Sequence, residues 1–246
     1  MKTVDLNCDM GEGCGNDAEL MRYITSANIA CGFHAGTPIT MRQTAEMALQ
    51  SGVAIGAHPS YRDTENFGRT PMNLAAREVF DIVVEQVAAM SEVCRSIGTR
   101  LNHVKPHGAL YNQAAKDPEL SAAIADAVRS VGDDLIFFGL AGSIMISKAE
   151  ELGLRTASEV FADRTYQSDG SLTPRTQPDA LIEEVRTAIA QVLGMVIAKS
   201  VTSTDGSVVP VIADTICIHG DGKNAVAFAK AVRSALLGSG IAINAI

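Results

Sequence analysis

Residues 103 to 112 read HVKPHGALYN, which places two histidines, a lysine, a tyrosine and an asparagine within ten positions. Similar polar clusters recur at DLNCDMGE (5–12), SANIACGFHAG (26–36), GAHPSYRD (56–63), EVFADRTY (159–166) and ICIHGD (216–221). Imidazole and carboxylate together supply general acids and bases near neutral pH, and an adjacent ammonium can stabilise an oxyanion or a phosphate. His/Asp sets can equally hold a divalent metal, and spacing in sequence leaves that alternative open. There is no G-x-S-x-G elbow and no H-E-x-x-H pattern, which argues against an acyl-serine hydrolase and a zincin. GDGKN (220–224) lacks the spacing and the Ser/Thr of a P-loop.

The elements that must carry these clusters alternate. Short β-branched or apolar runs at 3–8, 26–31, 53–57, 100–105, 135–140, 156–161 and 215–219 are expected strands. Helices are expected from Thr37-Pro38 to Gly52, between Asn73 and Gly98, and from Asp117-Pro118 to Gly132. Further helices are expected at 142–152, 179–193 and 224–237. In the helix between Asn73 and Gly98, the residues Ala76, Val79, Phe80, Val83, Val87 and Met90 form an apolar stripe. Strand and helix in alternation imply parallel βαβ units, and seven such units fit a (β/α) barrel. A doubly wound nucleotide fold would need a phosphate fingerprint after the first strand. The only candidate, GEGCGN (11–16), has its third glycine too early and an acidic Glu12. Residues 1–246 are therefore expected to form one barrel domain, with a β-hairpin inserted around 196–214 at Asp205-Gly206. The long polar connections 60–72 and 163–177 are candidate binding loops.

In such a barrel the active site lies where the strands end, with polar residues there and apolar ones earlier. Alternation puts Asp5, Asn7 and Asp9 on one face, and His103, Lys105 and His107 on one face. Taken alone, His34 or His103 is more often a satisfied structural histidine, and Asp63 or Asp221 a helix cap. Convergence changes that balance, because His34, His58, His107 and His219 all fall at expected strand ends in a histidine-poor chain.

Composition narrows the partners. The chain has 246 residues, is 47% hydrophobic and carries a net charge of −8, so a nucleic-acid partner has no electrostatic support. No apolar run is long enough to span a bilayer, and MKTVDLNCDMGEG turns acidic where a signal peptide would be apolar, so a cytoplasmic protein without a membrane partner is expected. Five cysteines without a C-x-x-C pair read as buried, reduced thiols.

With FGR (67–69), VDLNCDMGE (4–12), VKPHGALYN (104–112) and the other blocks in order from residue 4 to about 237, the chain resembles the LamB/YcsF family. The resemblance implies a distorted seven-stranded barrel related to the polysaccharide-deacetylase class. It also implies ATP-dependent opening of the lactam of 5-oxo-L-proline to L-glutamate, in a 5-oxoprolinase completed by subunits B and C. Coupling to Mg-ATP has a chemical logic: phosphorylating the lactam oxygen turns a resonance-stabilised amide into an electrophile that water can attack.

On the matching motifs, the resemblance places Asp9, Glu12, His34, His58, Lys105, His107, Asp163, Arg164, His219 and Asp221 at the active site. Within that set Asp9, His58, Lys105, His107 and His219 are assigned to catalysis. Asp9 with His58 or His107 would activate water and protonate the leaving nitrogen. Lys105 and Arg69 would hold phosphate or the oxyanion, while Asn7, Asn28, Tyr111 and Asn112 would orient the substrate. The chain departs from the family pattern at Thr37, where an aspartate is usual, at Thr70, where an arginine is usual, and at Gly222-Lys223 in place of Thr-Pro. Two rival readings are a metal-dependent deacetylase or amidohydrolase that needs no ATP, and a non-enzymatic small-molecule binding protein.

Overall fold

The computed structural model describes residues 2–222 and 225–246, so Lys223 and the first residue of the helix expected at 224 lie outside the described residues. Six strands run parallel in chain order, each bonded to the one before: β1 (Thr3–Met10), β2 (Ser26–Ala30), β3 (Ala54–His58), β4 (His103–Val104), β5 (Ile136–Leu140) and β6 (Arg155–Phe161). After them β7 (Ser200–Thr202) and β8 (Val208–Pro210) form a separate antiparallel hairpin. Next, β9 (Thr215–Ile218) pairs with both β6 and β1 and closes a seven-stranded parallel barrel. Last, β10 (Ala242–Ile243) lies beside the start of β1.

Helices cover the barrel: α1 (Asp17–Leu20), α2 (Pro38–Ser51), α3 (Ala76–Ser96), α4 (Gly108–Ala114), α5 (Pro118–Val131), α6 (Ile144–Glu151), α7 (Val185–Leu193) and α8 (Ala225–Gly238). Local chemistry sets their ends. Thr37 and Thr40 form a capping box at the start of α2, which ends at Gly52 in the left-handed region, so the threonine at 37 costs the helix nothing. The Asp117 carboxylate caps α5 by accepting from the Glu119 and Leu120 amides. Leu6, Cys8 and Met10 of β1 share one apolar core with Val79, Val83, Val87 and Met90 of α3.

Three differences from expectation lie close to the barrel mouth. Only His103 and Val104 of the run 100–105 form ladder pairs. The helix expected at 179–193 starts at Val185, because Leu181 is drawn into an antiparallel bridge with Arg164 and Glu184 caps the later start. The unexpected α4 begins one residue after His107.

The barrel interior is polar further down than a strand-end pattern predicts. The Asp5 carboxylate is fully buried and accepts from Thr25, Ser26 and Thr215. Above it, Asn7 Nδ2 donates to Thr215 Oγ1 at 2.7 Å, and Asn28 Nδ2 donates to Asn7 Oδ1 at 2.8 Å. His103 pairs with Asn28 Oδ1 at 2.9 Å and stacks on Phe138. A buried polar group left without a partner costs about 1–3 kcal/mol, so the strands satisfy one another across the barrel. His103 needs Gly56 opposite: a Cβ there would fall 2.0 Å from its Nε2.

Candidate active site

The mouth of the barrel gathers the charged groups in the order of the strands. Asp9 stands next to last in β1, His58 ends β3, and Lys105 follows β4. Lys105 is 2% exposed. Its ammonium lies 2.8 Å from Asp9 Oδ1, 3.0 Å from Glu159 Oε1 and 3.0 Å from Cys217 Sγ. Burial opposes its charge, but Asp9, Cys217 and Glu159 outweigh that and push Lys105 well above the usual lysine range. Burial likewise opposes the Asp9 charge, and His58 and Lys105 overcome it to hold the carboxyl well below the usual range. Lys105 is therefore a fixed internal counter-ion for two carboxylates.

Beside this pair stand three histidines whose hydrogen bonds fix their rings. His58 Nδ1 faces the Lys105 carbonyl at 2.6 Å and so donates to it, turning Nε2 toward Asp9 Oδ2 at 3.3 Å. His107 Nε2 faces the Phe67 carbonyl at 2.9 Å, turning Nδ1 toward His58 Nε2 at 2.9 Å. Ser60 Oγ donates to the Tyr61 carbonyl and accepts from His34 Nδ1, which leaves His34 Nε2 against Glu12 Oε1 at 3.0 Å. Burial and the neighbouring His58 lower His34 to about 3. Burial, with Asp9 and Asp221 nearby, raises Glu12 well above the carboxylate range.

The loop 60–72 packs over these rings. The Asp63 side chain accepts from the Asn66 and Thr70 amides, and Gly68 takes φ +67°. A Cβ at Gly68 would lie 2.9 Å from both His107 Cδ2 and His34 Cβ, so only glycine lets the loop approach the stacked rings. At position 70 the loop uses the backbone amide, which threonine supplies.

Glu12, His34, His58 and His107 each bring one donor atom within 4.8 Å of the others, a cluster able to hold a divalent cation. His34 and His107 stack at 3.8 Å with planes 8° apart, so their in-plane lone pairs do not converge on one ion. The donor set that fits is His58 and His107, at 82° to each other, with a carboxylate, while His34 orients Glu12. The second cluster, Asp9, Cys217 and His219, already has the Lys105 ammonium against two of its members.

On the other side of the mouth, His219 Nδ1 donates to the Asp163 carboxylate at 2.8 Å, and Asp163 also accepts from the His219 amide. Burial opposes the Asp163 charge, yet His219 keeps the carboxyl below its usual range. Asp163 thereby fixes the tautomer of His219 and leaves Nε2 available. A cavity of about 220 Å³ opens here, lined by Asp163, Arg175, Ile182, Ile218, His219, Asp221 and Phe228 among others.

Several expected roles need correction. Asn7 and Asn28 are fully buried under Asp9 and hold it in place, so they do not reach a substrate. The Tyr111 hydroxyl donates to Glu159 Oε2 at 2.7 Å, inside the wall. Asn112, about 100° further round α4, is exposed and donates to the Gly108 carbonyl. Arg164 is buried with its guanidinium bound to the Thr173 and Ala180 carbonyls, so it organises its own loop. Arg69 pairs with Asp221 at 2.8 Å. Neither it nor Lys105 is a free anion binder.

Glu159 and Cys217 join the site without a role expected from sequence. A glutamate directly before the apolar pair Val160-Phe161 that ends β6 is the available signal for the first; nothing local distinguishes Cys217 from a packing thiol. Cys14 is the exposed exception among the five cysteines.

The LamB/YcsF family profile matches residues 4–246. The chain belongs to the LamB/YcsF family. A Bordetella parapertussis protein, named as the A subunit of 5-oxoprolinase, is 57% identical over 247 residues, covering 98% of both chains. The crystal structure of a lactam utilization protein from Thermus thermophilus covers 100% of both chains at 41% identity and a TM-score of 0.92. The peptidoglycan deacetylase PdaC of Bacillus subtilis, at 13% identity and a TM-score of 0.50 over 99% of this chain and 87% of its own, shares the fold alone. This LamB/YcsF member thus has the seven-stranded deacetylase-like barrel that its motifs imply, and its relatives point to 5-oxoproline metabolism. Among the described residues, no helix is long and apolar enough to cross a membrane.

Proposed function

We propose that the chain opens the lactam ring of 5-oxo-L-proline to L-glutamate in the cytoplasm, as the A subunit of a 5-oxoprolinase completed by subunits B and C and driven by ATP. One observation carries the reading: a carboxylate-oriented histidine, His219 on Asp163, faces a small cavity beside the Asp9–Lys105 pair. Ring opening adds water across the carbonyl–nitrogen bond. A proton must leave the attacking water, and one must reach the ring nitrogen as that bond breaks. In this reading His219 Nε2 performs both transfers, with Asp163 holding the ring in one tautomer and stabilising the imidazolium between them. Asp9, kept ionised by Lys105 and His58, offers a fixed acceptor to orient the water.

The nucleotide belongs on the partner side of this complex. Asp9, Glu159, Asp163 and Asp221 lie at the mouth and Lys105 and Arg69 are already engaged by carboxylates, which leaves Arg175 as the one unpaired cation of these three and disfavours a polyphosphate. The metal-dependent hydrolase reading has one observation in its favour, the histidine cluster. Both are tested by glutamate release from 5-oxoproline by the chain alone and with B and C, each with and without Mg-ATP. Turnover only with partners and ATP is expected, and Asp163→Asn should lower kcat by about 10²–10⁴-fold. Release by the chain alone, without ATP and abolished by a chelator, would favour the metal-dependent hydrolase.

A further inference from the structure

The cavity beside His219 has an uneven lining. Ile182, Ile218 and Phe228 form an apolar wall, His219 and Asp163 stand at one end, and Arg175 sits at the rim. Arg175 is the only cation that lines it among the described residues. Among the described residues that line it, the charged groups other than Arg175 and Glu183 are already committed. Asp163 is bound twice by His219, and Asp221 is held by Arg69 at 2.8 Å. Arg175 feels Asp163 electrostatically yet forms no ion pair with it; Glu183, also at the rim, is solvent-exposed. A guanidinium at the edge of a cavity with one apolar wall is a fork for a carboxylate.

We infer that Arg175 binds the carboxylate of the substrate, so that this cavity selects small ring amides bearing one carboxylate. The inference rests on the lactam reading above and adds to it the residue that sets specificity. The ring lies on Ile182, Ile218 and Phe228, the carboxylate is held at the rim, and the amide carbonyl points toward His219. At about 220 Å³ the slot suits a five-membered ring and excludes a chain of sugars. The loop 163–177 then has a purpose: Arg164, tied to the Thr173 and Ala180 carbonyls, braces the stretch that presents Arg175.

The test compares 5-oxoproline with 2-pyrrolidinone, the same ring without the carboxylate, in wild type, Arg175→Ala and Arg175→Lys, using the complex assembled with B and C. Losing a charge-assisted contact of this kind should lower kcat/KM for 5-oxoproline roughly 10- to 100-fold, almost all of it in KM, with partial recovery in Arg175→Lys. Turnover of 2-pyrrolidinone should be poor and unchanged by either substitution. An unaltered KM in Arg175→Ala, with wild-type turnover intact, would overturn the inference and leave the lactam reading standing. If wild type turns over neither compound, that reading fails. The inference is then decided by calorimetric titration of both compounds into the chain: binding of 5-oxoproline alone, lost in Arg175→Ala, supports it, and any other pattern overturns it.

Discussion

Replacing Lys105 by methionine probes the centre of the site. The side chain is 2% exposed, and its ammonium is the shared partner of Asp9 at 2.8 Å and Glu159 at 3.0 Å. Methionine fills most of the volume, so the loss is chiefly electrostatic: two buried carboxylates remain without their cation. Removing one member of a buried ionic set costs about 3–5 kcal/mol. For a chain this large the urea slope is near the upper end of the usual range, about 3 kcal/mol per M, so the unfolding midpoint should fall by roughly 1–2 M. Far-UV circular dichroism and tyrosine fluorescence can both follow the transition, because the chain has no tryptophan. Glu159→Gln in the Lys105→Met background removes one of the stranded charges, and the two substitutions should couple by about 0.5–3 kcal/mol in the direction of recovery. A midpoint shift below about 0.3 M, or strict additivity of the pair, would refute the picture of Lys105 as a shared counter-ion.

Gly68→Ala should fold but lose most activity: the left-handed backbone costs alanine about 1–2 kcal/mol, and the new methyl would displace the His34 and His107 rings. Its melting temperature measures the first effect and turnover in the complex the second; full turnover would show that the stacked rings tolerate movement. Zinc or cobalt titrated into the chelator-treated protein should bind at one equivalent per chain, and His58→Ala should abolish that binding; retention would locate the ion elsewhere. Iodoacetamide at pH 8 should alkylate Cys14 in the native protein and spare the four buried thiols. Burial raises Cys94 to about 11, for instance, leaving about one part in a thousand as thiolate at that pH. Mass spectrometry of the labelled peptides reads the outcome, and rapid labelling of Cys94 would contradict its burial.

The order of strands and helices is legible in the sequence because hydrophobic period and caps are local. Seven apolar runs, Thr37-Pro38 before α2 and Asp117-Pro118 before α5 need only neighbours within a few residues to act. The blocks that end the strands are legible for the same reason, since a parallel barrel places every strand end at one mouth. What each polar residue does there is not local. Depth and direction set Asn7, Asn28 and Tyr111 apart from a substrate, and α4, a short helix with no side-chain cap, turns Tyr111 inward and Asn112 out. Lys105 reads as an anion binder until Glu159, more than fifty positions away, and Cys217, twice as far, close around its ammonium. The barrel and its pool of ionisable groups thus follow from pattern along the chain. Which of those groups are free follows only from the folded barrel, because burial and charge neutralisation depend on partners brought together from distant strands.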